Sequence, residues 1–281
     1  MLKTQAKLKP VVSVKWLSQH LHDPNLIILD ASLMDNKAGL KSEHEGFQIV
    51  NARFFDLKNT FCDPDHRISN MIPSAERFTT ECRKLGINKN SKIVVYDNFG
   101  TYSSPRVWWL FKVMGHENIA VLNGGLPAWI NEFCEVEIKE SAEVELGDFQ
   151  ASFNSKRVLN AEQILENINT EHRLVIDVRT EDRFFGRVPE PRENLRGGHV
   201  PNSINLPFNR VLANGMFLSD KELSVLFKSL PLNNKSLVFC CGSGVSACIG
   251  LLACELVLEN EKYLYDGSWA EWGQLENYPI E

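Results

Sequence analysis

The chain has 281 residues, of which 43% are hydrophobic and 23% charged, with a formal net charge of -6. This is the composition of a folded globular protein long enough for two cores, and it lacks the basic excess that would make nucleic acid a partner. No run of about 18 apolar residues argues for a membrane span or a membrane partner, and the opening MLKTQAKLKPVVSVKWL has lysines without the apolar core of a signal peptide, so the expected compartment is cytoplasmic.

In chain order, VVSVKWLSQHLHDPNLIILDAS (11–32) reads as a short strand, an amphipathic helix and an apolar strand ending in Asp30. GFQIVNARFFDL, KIVVYDNFGTYSSPRVWWLFKVMG and VLNGGLPAW follow, each an apolar run bounded by turn residues. The stretch 135–157, EVEIKESAEVELGDFQASFNSKR, is polar and acidic and reads as a connection. Beyond it the same series returns. RVLNAEQILENINTEHRLVIDVR (157–179) ends its strand in Asp177, and GGHVPNSINLPF, SLVFCCGSGVSACIGLLACELVL and LYDGSWAEW match the remaining blocks in order. The expectation is a duplication: an α/β protein of two tandem domains, each an open, mostly parallel sheet with helices on both faces. Residues 1–136 form the first, 137–156 the linker and 157–281 the second.

Chemistry in such a sheet gathers where strands end and helices begin. SLVF is a strand and ACIGLLACELVL a helix, so CGSGVS is that turn. Gly242 and Gly244 allow successive N–H groups to point inward as a nest for an anion. Cys241 opens the turn and is the expected nucleophile, because such surroundings favour thiolate, lowering a cysteine pKa from ~8.5 into ~3.5–7.5. Cys240, on the opposite side of the strand, is expected in the core, as are Cys248 and Cys254 in the helix. Asp97 stands in register with Cys241, so the first half has no thiol at the matching place. Ala247 occupies the position where a phosphotyrosine phosphatase needs arginine, which argues against phosphate chemistry. The seven cysteines include no CxxC pair and the methionines have no ligand spacing, so free thiols and no metal are expected.

At CGSGVSA, RFFGRVPEPRENLRGGHVPNSINLP, YDGSWAEWG and YSSPRVWWLFKVMGHENIAVLNGGLPAW the sequence resembles the two-domain sulfurtransferases of the rhodanese superfamily, on their 3-mercaptopyruvate branch. Thiosulfate sulfurtransferases carry cations after the cysteine, where this chain has Gly242 and Ser243. The resemblance implies that Cys241 takes a sulfane sulfur from 3-mercaptopyruvate as a persulfide, releases pyruvate, and passes the sulfur to cyanide or to a thiol such as thioredoxin or a small thiol, with no external cofactor. It implies that Arg183 and Arg192 grip the substrate carboxylate and ketone. Gly242, Gly244, Val245 and Ser246 line the loop around it, and Ser243 relays a proton.

In the family that serine is proposed to work with an aspartate and a histidine from the segment that here reads FFDLKNTFCDPDHRISNMIP. Lys58 and Asn70 stand at those places, leaving Asp63, Asp65 or His66 to substitute. Arg179, Arg187 and Arg196 are weaker substrate ligands, and Arg179 is expected to brace the loop. His199, Trp269 and Trp272 are expected to pack. Two other readings stay open: a thiosulfate:cyanide sulfurtransferase, and a persulfide carrier or redox-sensing binding module.

Overall fold

A computed structural model of the chain describes residues 7–34, 36, 38–140 and 143–281. They fall into two units, Met1–Phe61 with Ser74–Phe153 and Cys62–Pro73 with Asn154–Glu281.

The first unit runs β1 (Val11–Val12), α1 (Val14–His20), β2 (Leu26–Asp30), β3 (Phe47–Ile49), β4 (Arg53–Phe54), α2 (Ala75–Lys84), β5 (Lys92–Tyr96), α3 (Ser104–Val113), β6 (Ile119–Leu122), α4 (Gly125–Asn131) and β7 (Val136–Ile138). Its main sheet has the order β1-β6-β5-β2-β4, with every pairing parallel. The strands are apolar almost throughout because both faces are covered. Ile28, Val94, Tyr96, Ala120 and Leu122 pack with Val14 and Leu17 of α1 and Leu126 and Trp129 of α4. Alternation sends Ile27, Leu29, Ile93 and Val95 to the other face, where Phe78 of α2 and Phe111 of α3 form an aromatic cluster with Phe55 and Phe149. Each such side chain contributes about 1.5–3 kcal/mol through burial.

The second unit repeats the plan with β8 (Val158–Leu159), α5 (Ala161–Thr170), β9 (Arg173–Asp177), α6 (Glu181–Phe184), β10 (Ile204–Asn205), β11 (Leu212–Ala213), β12 (Met216–Phe217), α7 (Asp220–Lys228), β13 (Ser236–Cys240), α8 (Ala247–Val257), β14 (Lys262–Tyr265) and α9 (Ser268–Trp272). The parallel order β10-β9-β13-β14-β8 is that of the first sheet read from its other edge. Helices α5 and α7 begin with capping boxes, Asn160 with Gln163 and Ser219 with Glu222. α8 is apolar and buried from Ala247 through Cys254 and lies directly on the sheet. A Cβ at Gly250 would come within 2.9 Å of Val178 and 3.2 Å of Phe239, so glycine permits the close approach.

The sequence reading differs from this arrangement in two places. Val136–Ile138 pairs antiparallel with β3, and Gly147, Phe149 and Ser152 donate backbone N–H groups to Arg83, Ile87 and Met114, so the expected linker belongs to the first unit as far as Phe153. Its polar composition hid a chain that joins the first unit through backbone hydrogen bonds and through Phe149 in the aromatic cluster. Residues 62–73, expected in the first domain, group with the second.

Candidate active site

Strand β13 delivers Cys240 and Cys241 to the carboxyl edge of the second sheet. Cys240 is buried in the cluster of Val175, Val238, Tyr265 and Trp269, and burial pushes its thiol well above the usual range, with Asp177 adding to the shift. Cys241, one residue on, faces the other way and opens the turn.

The first turn of α9 holds the loop in shape. The Cys241 and Gly242 carbonyls accept the Trp269 and Ala270 amides, each at 2.9 Å. Because a trans peptide sets C=O and N–H on opposite sides, the Gly242 and Ser243 amides point away from α9. Ser268 Oγ accepts the Cys241 amide at 3.1 Å and donates to the Tyr265 carbonyl at 2.8 Å. Gly244 has φ +75°, a left-handed conformation that glycine adopts without a Cβ clash.

The corresponding turn of the first unit shows what this backbone holds. Asp97, in register with Cys241, points its carboxylate into its own loop. Oδ2 accepts the amides of Tyr102, Ser103 and Ser104 at 2.8, 3.0 and 2.9 Å and the Ser104 hydroxyl at 2.7 Å, and Oδ1 takes the Phe99 amide at 3.0 Å.

Two arginines converge beside Cys241. A Cβ at position 242 would stand 3.1 Å from Arg183 Nη2 and 3.3 Å from Arg192 Nη1, so both guanidinium groups lie over the residue that follows the cysteine. Arg183, from α6, is braced by Glu190, which accepts its Nε at 3.1 Å and its Nη2 at 2.5 Å. The same buried carboxylate accepts Arg179 Nη1 at 2.9 Å. Arg179 is buried, pairs with Asp177 Oδ2 at 2.6 Å, donates to the Gly198 carbonyl and lies 4.3 Å over the Trp269 ring. Burial opposes its charge, but Asp177 and Glu190 outweigh this and raise its pKa, so Arg179 braces the loop as expected.

Arg192 Nη2 donates to Ser243 Oγ at 2.7 Å, and Asn70 Nδ2 donates to the same oxygen at 3.0 Å. Asn70 has φ +67° and sits in the segment that crosses to this unit, which is fixed two residues later where Asp266 Oδ2 accepts the Ile72 amide at 2.8 Å. The structure thus brings Asn70 to Ser243. Asp63 Oδ1 accepts the Asp65 amide and exposed His66 accepts the Ile68 amide through Nδ1, both at 3.0 Å, so these side chains shape their own loop. Val245 and Ser246 complete the turn into α8.

Outside the site, His199 stacks on Phe184 with ring centroids 3.7 Å apart. Arg187 pairs with exposed Glu181 and Asp182, and Arg196 binds carbonyls after α9, including Leu275 O at 2.6 Å. Among the described residues no group of His, Cys, Asp and Glu is placed to hold a metal ion, and no helix is long and apolar enough to cross a membrane. The sequence reading missed Ser268 as the support of the Cys241 amide, and it took Glu190 only as a surface acid that Arg183 or Arg192 could bridge, not as a buried carboxylate shared by Arg179 and Arg183. An acid seven residues after Arg183 inside an arginine-rich loop was the one available signal.

Two α/β units with the same parallel strand order, one with a cysteine at the helix-entering turn and one with an aspartate at the matching place, define a tandem-domain protein. The Rhodanese-like domain family matches residues 13–132 and 160–275, and the chain belongs to that family. It is 35% identical to thiosulfate/3-mercaptopyruvate sulfurtransferase 1, mitochondrial, of Arabidopsis thaliana, over 97% of this chain and 78% of that protein. It is 36% identical to 3-mercaptopyruvate sulfurtransferase of Mus musculus, over 94% and 92%. Among solved structures, the 3-mercaptopyruvate sulfotransferase SseA of Escherichia coli superposes with a TM-score of 0.80 at 31% identity, covering 94% of this chain and all of that one.

Proposed function

We propose that this enzyme is a sulfurtransferase that takes sulfur from 3-mercaptopyruvate onto Cys241 as a persulfide, releases pyruvate, and yields the sulfur to a thiol or to cyanide. The observation that carries this reading is the convergence of Arg183 and Arg192 on Gly242, directly beside the cysteine. Planar guanidinium groups there suit a carboxylate with an adjacent ketone, and Gly242 leaves room for both.

The chemistry follows from those positions. The Cys241 thiolate attacks the donor sulfur, the carbon–sulfur bond breaks, and its electron pair goes to the carbon next to the ketone as an enolate. The donor's thiol proton passes by way of the Ser243 hydroxyl to that carbon, giving pyruvate and Cys241–S–S⁻. The cation of Arg192 and the amides of the turn stabilise the developing charge. An acceptor thiolate or cyanide then attacks the outer sulfur and returns Cys241 as thiolate, with charge and atoms conserved.

Ser243 receives hydrogen bonds from Arg192 and Asn70, both through donor groups, which leaves its own hydrogen to point elsewhere. An amide cannot take a proton as imidazole does, so Asn70 positions Ser243 and the proton relay rests on the hydroxyl. His66 and Asp63 remain outside this relay in the reading.

The acceptor class is a thiol, either small or a thioredoxin-like protein that presents one. Thiosulfate as donor is the second reading. It is favoured by the double name of the Arabidopsis relative, while the two cations over Gly242 suit either donor. Steady-state pyruvate release from 3-mercaptopyruvate by wild type and Cys241→Ser tests the leading reading. Loss in the variant is expected, and equal rates would overturn it. The ratio of kcat/KM for the two donors ranks the readings.

A further inference from the structure

The first unit carries a cavity of about 530 Å³ at the edge of its sheet that matches the catalytic edge of the second. Leu33 follows β2, Asn98 follows β5, and Arg53 and Phe54 come from β4, with Leu85 and Val144 closing the walls. The register of the halves sets Asp30 against Asp177 and Asp97 against Cys241. The Asp97 carboxylate fills its own nest, so the place has no nucleophile and suits reversible binding.

Two groups in the walls call for a ligand. Asn98 is 4% exposed, and among the described residues its Oδ1 has no hydrogen-bond partner. A buried acceptor left in that state is unfavourable unless a donor arrives. Arg53 is half-buried and donates Nη1 to the Leu85 carbonyl, and among the described residues it forms no ion pair with a carboxylate. Its pKa is pushed down by burial. The neighbouring lysines are committed, Lys139 to Asp30 at 2.7 Å and Lys84 to Glu81 at 2.8 Å. Glu45, Glu140, Ser32 and Gln48 also reach the lining, yet a guanidinium at one wall, a bare acceptor at another and mainly apolar side chains between them match one kind of molecule.

We propose that this cavity is a second, non-catalytic binding site for a small amphipathic carboxylate. Its carboxylate pairs with Arg53, its aromatic or aliphatic body lies against Leu33, Phe54, Leu85 and Val144, and a hydroxyl or N–H group donates to Asn98 Oδ1. By register Arg53 is level with Leu29 of β2, whereas Asn98 lies two residues past Tyr96, the partner of Asp30. The ligand therefore spans from β4 to the end of β5, which requires separated polar ends.

The probe is 3-(4-hydroxyphenyl)propionate, whose ends are a carboxylate and a phenol, titrated into the full chain carrying Cys241→Ser and followed by amide chemical shifts. Saturable binding is expected, with shifts at Leu33, Arg53 and Asn98. The corresponding propanamide, which lacks the charge, is expected to bind about tenfold or more weakly, as is the acid to Arg53→Gln, since a charge-assisted hydrogen bond is lost. Removing the phenol, or Asn98→Leu, should weaken binding about threefold to tenfold. Val144→Trp, on a surface segment, should abolish binding by filling the cavity. Equal affinity of acid and amide for the unaltered cavity, shifts confined to the second unit, or absence of saturable binding would overturn the proposal without recourse to any variant.

Discussion

The Asp97 carboxylate lies 2.8 Å from the Tyr102 amide, the first of several N–H groups that its loop turns inward. Its register partner is Cys241. The first unit thus holds a carboxylate group where the second holds the thiol, at the end of the matching strand. Charge-assisted bonds to a buried carboxylate are individually worth about 1.5–3 kcal/mol, and deletion leaves the donors unpaired. Asp97→Ala is expected to lower unfolding stability by about 3 kcal/mol or more in urea titrations, while Asp97→Cys should create no second sulfur acceptor, because the arginine pair belongs to the other half.

Arg183 and Arg192 should not tolerate lysine. Glu190 locks Arg183 in place, and Arg192 also binds Ser243, so an ammonium loses forked geometry in both cases. Each Arg→Lys variant is expected to lose about tenfold to a hundredfold in kcat/KM for 3-mercaptopyruvate. Arg192→Lys should reduce kcat as well, whereas Arg187→Lys, on an exposed pair, should leave both constants unchanged.

Asn70 offers a test through pH. With Asn70→His the ring would accept the Ser243 proton only when neutral, so a new limb should appear in which activity falls as pH drops through about 6.5. Wild type should lack that limb, and His66→Asn should leave the pH profile unchanged. A wild-type limb that disappears in His66→Asn would return the proton relay to that histidine.

Stability should carry a separate pH signature. His116 is buried beside the Ser91 carbonyl, with Nε2 3.0 Å from it, and burial lowers its pKa below the ordinary value. The unfolded chain therefore binds a proton that the folded one refuses, and stability falls as pH drops below about 6.5, by at most ~1.4 kcal/mol per pH unit. His116→Gln should flatten the change in urea midpoint between pH 7 and 5.5. An unchanged slope would contradict this assignment.

Much of the fold was legible because it is written twice. Apolar runs ending in Asp30 and Asp177, or in Tyr96 and Cys240, announce strands buried on both faces, and the glycines after Cys240 announce the turn. The core position of Cys240 followed from strand alternation alone. What stayed hidden depends on contacts distant in sequence. Nothing local in VEI at 136–138 shows that it pairs with β3, and composition alone does not assign residues 62–73 to the second unit; only the family resemblance pointed that segment at Ser243, which Asn70 meets across 173 positions. Glu190 looks like a surface acid in sequence, because burial of a carboxylate becomes favourable only when two arginines are folded around it.

The most direct test is the mass of the Cys241 peptide after the full chain is treated with 3-mercaptopyruvate in the absence of an acceptor. One added sulfur atom on that peptide, absent in Cys241→Ser and removed by cyanide or a small thiol, is the expected result. Pyruvate release that continues in Cys241→Ser, or sulfur carried by another of the cysteines, would contradict the account.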